Sequence, residues 1–180
     1  MTIATRPLSL TVNGRKIGPL DVPEELTMLD FLGEHLRLTA RLGCGQGICR
    51  ACTVILDHPD GHSEAVQTCI AAAHDFAGKS VRTIESHAEH DAQGNVVGLS
   101  PVQQAFVEHF SFQCGYCTPG FVNAATVLVE TLKRAPVARK EVERKIEEAL
   151  NGHICRCTGY VRYYQAMHDL ILKTPGLIQT

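Results

Sequence analysis

The chain has 180 residues, a length that suits one large domain or two small ones. Hydrophobic residues make up 44% and charged residues 20%, so a packed core can form. The formal net charge of −2 excludes an overall basic footprint for nucleic acid, and no polybasic run is present to meet an anionic membrane surface. No stretch approaches the roughly 18 consecutive apolar residues of a membrane span, so no direct membrane span is expected. Met1 to Arg6 lacks the charged-then-apolar pattern of a signal peptide, and no twin-arginine pair is seen. The expected location is cytoplasmic, with export to the periplasm alongside a signal-bearing partner left open.

Taken in chain order, Leu8, Leu10 and Val12 alternate with polar residues before Asn13-Gly14, which predicts a hairpin whose returning strand holds Ile17, Leu20 and Val22. Thr27 is placed to cap a short helix with Asp30 three residues on and an apolar stripe of Met28, Leu29, Leu32 and Leu36. A glycine-rich run from Gly43 leads to Cys52 and an apolar strand, Thr53 to Leu56, and Pro59-Asp60-Gly61 is a turn. Two hairpins beside one helix predict a small α+β domain over residues 1–85. The polar stretch 86–99 reads as a linker.

Residues 100–180 carry helical signals throughout. Ser100-Pro101-Val102-Gln103 is a capping box with proline at the first helical position. Thr118-Pro119 opens a helix that is apolar on most sides and is therefore expected to be buried, with Pro136 past its end. Val142, Ile146 and Leu150 define a third helix, stopped near Asn151-Gly152, and Tyr160, Tyr164, Met167 and Ile171 a fourth. The second half is thus predicted as a four-helix bundle.

Eight cysteines fall into two groups. Cys44, Cys49, Cys52 and Cys69 are spaced C-x4-C-x2-C-x16-C, the plant-type [2Fe–2S] spacing. Each iron takes two thiolates, and a loop that supplies three ligands must wrap the inorganic core, which Gly43, Gly45 and Gly47 permit. A structural zinc site more often shows two short paired spacings. Cys114 and Cys117 form C-x2-C, and Cys155 and Cys157 form C-x-C after 37 intervening residues. Each pair lies between predicted helices, so both can sit at one end of the bundle. Taken alone, this second spacing also suits zinc. The nine histidines show no metal-binding spacing, and the charged run Arg139 to Glu148 reads as a solvated helix face.

Gly43 to Val54, Gln113 to Gly120 and Cys155 to Tyr160 together resemble, in order, the three cysteine motifs of the molybdenum hydroxylases, the xanthine oxidase and aldehyde oxidoreductase family. The resemblance covers nearly the whole chain. It implies an N-terminal β-grasp ferredoxin domain and a C-terminal four-helix-bundle [2Fe–2S] domain. It implies a molybdopterin cofactor in a large catalytic partner subunit, with Gln113 and Cys157 next to the pterin. Electrons would pass from molybdopterin to the Cys114/Cys117/Cys155/Cys157 cluster, then to the Cys44/Cys49/Cys52/Cys69 cluster, then to an acceptor. That acceptor is FAD in a flavin subunit or haem in a cytochrome c subunit. No dinucleotide fingerprint or C-x-x-C-H motif is present, so neither is bound by this chain. The complex is expected to oxidise an aldehyde first, a nitrogen heteroaromatic second, and no residue of this chain is expected to be catalytic.

Two departures from the family pattern stand out. Arg50 occupies the place where the family usually has glycine between the second and third cysteines. If the backbone there takes positive φ, arginine costs about 1 kcal/mol; its charge is expected beside the exposed first cluster. The spacing from Cys117 to Cys155 is also longer than the family's, which predicts an extended helix or loop. The alternatives to a relay subunit are a free-standing ferredoxin-like carrier and a zinc-stabilised interaction module.

Overall fold

The computed structural model describes residues 4–179; Met1 to Ile3, part of the N-terminal segment read above, and Thr180 lie outside the described residues. Leu8, Leu10 and Val12 point inward from strand β1 (Thr5–Val12). Asn13 and Gly14 both take left-handed φ, +50° and +76°, and return the chain as β2 (Arg15–Pro23). Of the three apolar residues expected on that strand, Val22 is buried and Leu20 lies on the exposed side.

The Thr27 hydroxyl accepts the Asp30 N–H at 3.1 Å and caps helix α1 (Met28–Asp30). The helix then widens into π-type turns over Phe31–His35, and Arg37, at φ +55°, turns the chain away, so Leu36 falls at the cap and not inside the helix. Strands β3 (Thr53–Asp57) and β4 (Ser63–Gln67) make the second hairpin. A further strand, β5 (Ser80–Arg82), runs parallel to β1 and antiparallel to β3, completing a sheet of order β2-β1-β5-β3-β4. Three residues are too few to show alternation, so no sequence signal marked β5.

The stretch 86–99 is more ordered than a linker. It follows a helical turn, Ile84–His87, and carries a small hairpin of β6 (Glu89–His90) and β7 (Val96–Gly98). Asp91 shapes its turn, accepting N–H groups from Gln93 at 2.9 Å and Asn95 at 2.8 Å.

Four helices follow: α2 (Pro101–Glu108), α3 (Thr118–Arg134), α4 (Val142–Leu150) and α5 (Val161–Lys173). Ser100 and Gln103 close the expected capping box, with the Gln103 N–H on the Ser100 hydroxyl at 3.3 Å and the Ser100 N–H on the Gln103 side chain at 3.0 Å. The long interval between Cys117 and Cys155 is filled by the 17 residues of α3, a turn at Arg139–Glu141, and α4. Among the described residues no helix is long and apolar enough to cross a membrane.

Each half has its own core, one around Leu8, Met28, Phe31 and Val54, the other around Phe106, Phe121, Ile146 and Tyr163. Strand β3 belongs to both sides of the junction. Val54 and Leu56 face the first core, while Thr53 and Ile55 lie on the opposite face, where α3 packs. This two-sided burial is why the strand reads as a continuous apolar run and not an alternating one.

Candidate metal centres

Cys44, Cys49 and Cys52 lie on the loop before β3. Gly45, Gly47 and Arg50 all take left-handed φ there, +69°, +73° and +57°, so the backbone curls and turns its N–H groups inward. The Cys44 sulfur accepts from Gln46 N–H at 3.3 Å and from Cys49 N–H at 3.4 Å, and the Cys69 sulfur accepts from Gly47 N–H at 3.4 Å. The Cys49 and Gln46 N–H groups hold the Cys44 thiol down to a pKa of about 6. Burial instead pushes Cys69 up to about 11. A Cβ on Gly43 would stand 2.5 Å from the Cys49 sulfur, so any side chain there would displace that sulfur atom. Cys69 arrives on a helical turn after β4, fixed by the Thr68 hydroxyl donating to the Cys52 carbonyl at 2.9 Å.

The second group forms where α3 and α5 begin. Cys117 is the residue before α3, and Tyr160, at φ +71°, is the residue before α5. Cys155 is held by Tyr160 and Thr158: its N–H donates to the Tyr160 hydroxyl at 3.2 Å, and its sulfur lies 3.1 Å from the Thr158 hydroxyl. Burial is the largest influence on the Cys155 thiol and pushes its pKa up, but hydrogen bonding, Thr158 foremost, outweighs it and the pKa falls. Cys117 faces the helical core, 3.9 Å from the Tyr163 hydroxyl, and burial drives its pKa to about 12. Phe121 stacks on Tyr163 with centroids 4.0 Å apart, which fixes the wall behind Cys117.

The eight thiols fall into four neighbouring pairs. Cys114 and Cys157 are 3.5 Å apart. Cys117 neighbours Cys155, Cys44 neighbours Cys49, and Cys52 neighbours Cys69, each close enough to influence its partner's titration. A diiron core takes two thiolates per iron, so two pairs per group is the donor set it needs; one zinc ion would draw four thiols to a single point. Among the described residues no group of three or more His, Cys, Asp or Glu side chains is arranged to hold one metal ion. Both groups also open on one cavity of about 290 Å³, lined by Cys44 and Cys49 on one side and Cys114, Cys117, Cys155 and Cys157 on the other.

The halves are joined closely around that cavity. Ile154 N–H donates to the Cys49 carbonyl at 3.0 Å, and the Tyr116 hydroxyl donates to the Leu42 carbonyl at 2.7 Å. Farther along α3, the buried Asn123 side chain donates to the Thr53 carbonyl at 2.7 Å and its oxygen lies 2.7 Å from His87 Nε2. Arg82 on β5 bridges Asp57 on β3, at 2.7 Å, and Glu130 on α3, at 2.8 Å. Burial works against the Arg82 charge, and its bonds to Glu130 and Asp57 outweigh it. Sequence patterns mark none of these junction residues, because a polar side chain that crosses to another domain carries no local period.

Arg50 takes the left-handed backbone that its glycine-like place demands, but its side chain departs from the expectation. The guanidinium does not stand out beside the first group. It lies over Gly152, where an added Cβ would overlap it, at the junction with the helical half. His153, the next residue, is buried against Phe121 with neither ring nitrogen partnered; burial, and after it the Arg50 charge, lowers its pKa to about 4. Gln113, Cys114 and Cys157 are all exposed.

This arrangement defines a class, a protein of two iron–sulfur modules built differently and set against each other. A model described as the 2Fe-2S iron-sulfur cluster binding domain matches residues 10–79, and one described as the [2Fe-2S] binding domain matches residues 83–168. The chain is 37% identical to the nicotine 6-hydroxylase small subunit of Paenarthrobacter nicotinovorans, over 95% of this chain and 90% of that one. It is likewise 37% identical to xanthine dehydrogenase 1 of Arabidopsis thaliana over 84% of this chain, but spans only 11% of that much longer protein. Among solved structures, a chain of quinoline 2-oxidoreductase from Pseudomonas putida 86 matches with a TM-score of 0.75 and 28% identity, over 96% of this chain and 93% of that one. The chain belongs to the iron–sulfur subunits of the molybdenum hydroxylases, the family of the xanthine dehydrogenases and aldehyde oxidoreductases, and its work is electron transfer within such an oxidoreductase.

Proposed function

We propose that Cys44, Cys49, Cys52 and Cys69 hold one [2Fe–2S] cluster, in a β-grasp domain over residues 1–85, and that Cys114, Cys117, Cys155 and Cys157 hold the other, in a four-helix domain over 100–180 joined through 86–99. When bound, such clusters take up and release one electron at a time. The observation that carries the reading is the Ile154 N–H···O=C Cys49 bond at 3.0 Å. Cys49 belongs to the first quartet and Ile154 is covalently next to Cys155 of the second. One hydrogen bond therefore links the two ligand sets through the backbone, and the shared cavity keeps little protein between them.

Exposure supports a direction for the relay. Cys114, Cys157 and Gln113 form an open face, which suits a large partner subunit bringing its molybdopterin against Gln113 and Cys157. The second quartet receives electrons there and the first passes them to an acceptor, FAD in a flavin subunit or haem in a cytochrome c partner. The substrate belongs to that large subunit. The names of two relatives, nicotine 6-hydroxylase and quinoline 2-oxidoreductase, support a nitrogen heteroaromatic as the substrate class beside the aldehyde that the sequence put first. Location is proposed as cytoplasmic, or periplasmic when a signal-bearing partner carries the folded complex.

Purification through a tag on this chain, followed by mass spectrometry and metal analysis of the intact assembly, tests the proposal. Recovery with a large molybdenum-containing subunit is expected. Recovery of a red-brown chain alone, loaded with iron and without that subunit, would make it a free-standing carrier instead.

A further inference from the structure

The Cys49–Cys52 turn is fitted to the helical half by Arg50. Its carbonyl accepts both the Thr53 hydroxyl, at 2.8 Å, and the Thr53 N–H, at 3.2 Å. The same carbonyl fills the space beside Gly120 near the start of α3, where an added Cβ would collide with it. The guanidinium fills the space over Gly152, three residues before Cys155. Two glycines of the helical half thus accommodate one arginine of the other. Among the described residues no carboxylate lies within ion-pair distance of that guanidinium.

We infer that Arg50 is a positioning residue of the relay, which presses the first cysteine loop onto the turn leading to Cys155 and sets over that turn a positive charge with no carboxylate partner among the described residues, favouring the electron-loaded state of both quartets. The inference rests on the two-cluster reading above. Each reduction adds one negative charge to a thiolate-bound centre, and a fixed cation in a half-buried junction stabilises that added charge more than it would in water. The left-handed strain at Arg50 is then tolerated for what the side chain does across the junction.

The test is a redox titration followed by electron paramagnetic resonance on the assembled complex, in the parent, Arg50→Gln, Arg50→Lys, Gly152→Ala and the Arg50→Gln/Gly152→Ala double variant. Arg50→Gln keeps the backbone strain and most of the length but removes the charge. It should lower the midpoint potential of both [2Fe–2S] signals by about tenfold in the reduction equilibrium, about 59 mV. Arg50→Lys should stay close to the parent. Gly152→Ala changes no charge but takes the space of the guanidinium. It should lower the potentials in the parent and leave them unmoved in the Arg50→Gln background, a coupling that independent packing defects would not produce. Unchanged potentials in Arg50→Gln, or an equal Gly152→Ala shift in both backgrounds, would overturn the inference. If Arg50→Gln loses its clusters while Arg50→Lys retains them, the requirement for charge is upheld; loss in both variants refutes it. A parent complex with no [2Fe–2S] signal refutes the two-cluster reading itself, an outcome distinct from clusters that are present but insensitive to Arg50.

Discussion

Cys44 and Cys117 place one side-chain chemistry in two opposite settings. Cys44 sits in a curl of backbone N–H groups at a solvent-facing loop, and Cys117 sits against the Tyr163 and Phe121 rings. The spacing of the cysteines along the chain made both groups legible, because ligand spacing is a local property of a loop. What the spacing could not convey is the pairing of Cys114 with Cys157 and of Cys117 with Cys155, since it depends on where α3 and α5 begin relative to one another. The assignment of ligands makes a direct prediction. Cys49→Ser should abolish one electron-resonance signal and leave the other, and Cys117→Ser should do the reverse; loss of both signals from either change would mean the eight cysteines do not form two independent sites. His87 supplies a second prediction at this scale. Burial holds its pKa below the ordinary 6.5 and keeps the ring neutral beside Asn123. In the unfolded chain His87 takes up a proton sooner as pH falls, so stability is full above about 6.5 and declines below it. Chemical denaturation between pH 7 and 5 should show that decline, and His87→Gln, which cannot protonate, should show a shallower one.

Among the elements, those with local signals were read correctly. The Ser100/Gln103 box, the Val142, Ile146 and Leu150 stripe and the Asn13-Gly14 turn each carry their cause within a few residues. The elements that escaped notice owe their form to distant partners. Strand β5 is held by its pairing with β1 on one side and β3 on the other, and the hairpin in 86–99 forms in a polar stretch through Asp91. Arg50 was a partial success: its left-handed backbone followed from the glycine it replaces, whereas the direction of its side chain depends on Gly152, about a hundred residues away. Helix α3 joins the halves, and at Gly120 it comes so close that an added Cβ would collide with the Arg50 carbonyl. A backbone oxygen cannot swing aside as a side chain can. Gly120→Ala should therefore force α3 outward and destabilise the folded chain by about 1–3 kcal/mol, seen as a lower denaturation midpoint. A midpoint equal to that of the parent would mean α3 is not held that close.

At the scale of the whole molecule, two cores of different build are fused along β3 and α3, and both cysteine groups open onto the seam near its end. Arg82, with Asp57 and Glu130, ties the far side of the same seam. The fused architecture keeps the ligand loops at fixed separation, and a relay depends on that separation holding from one turnover to the next. The account requires that each loop carry its own diiron core in one and the same chain. Iron analysis of the purified complex, combined with electron paramagnetic resonance after reduction, measures this directly. The expected result is about four irons per chain and two distinct [2Fe–2S] species. Far fewer irons, zinc in their place, or a single species on full reduction would contradict it.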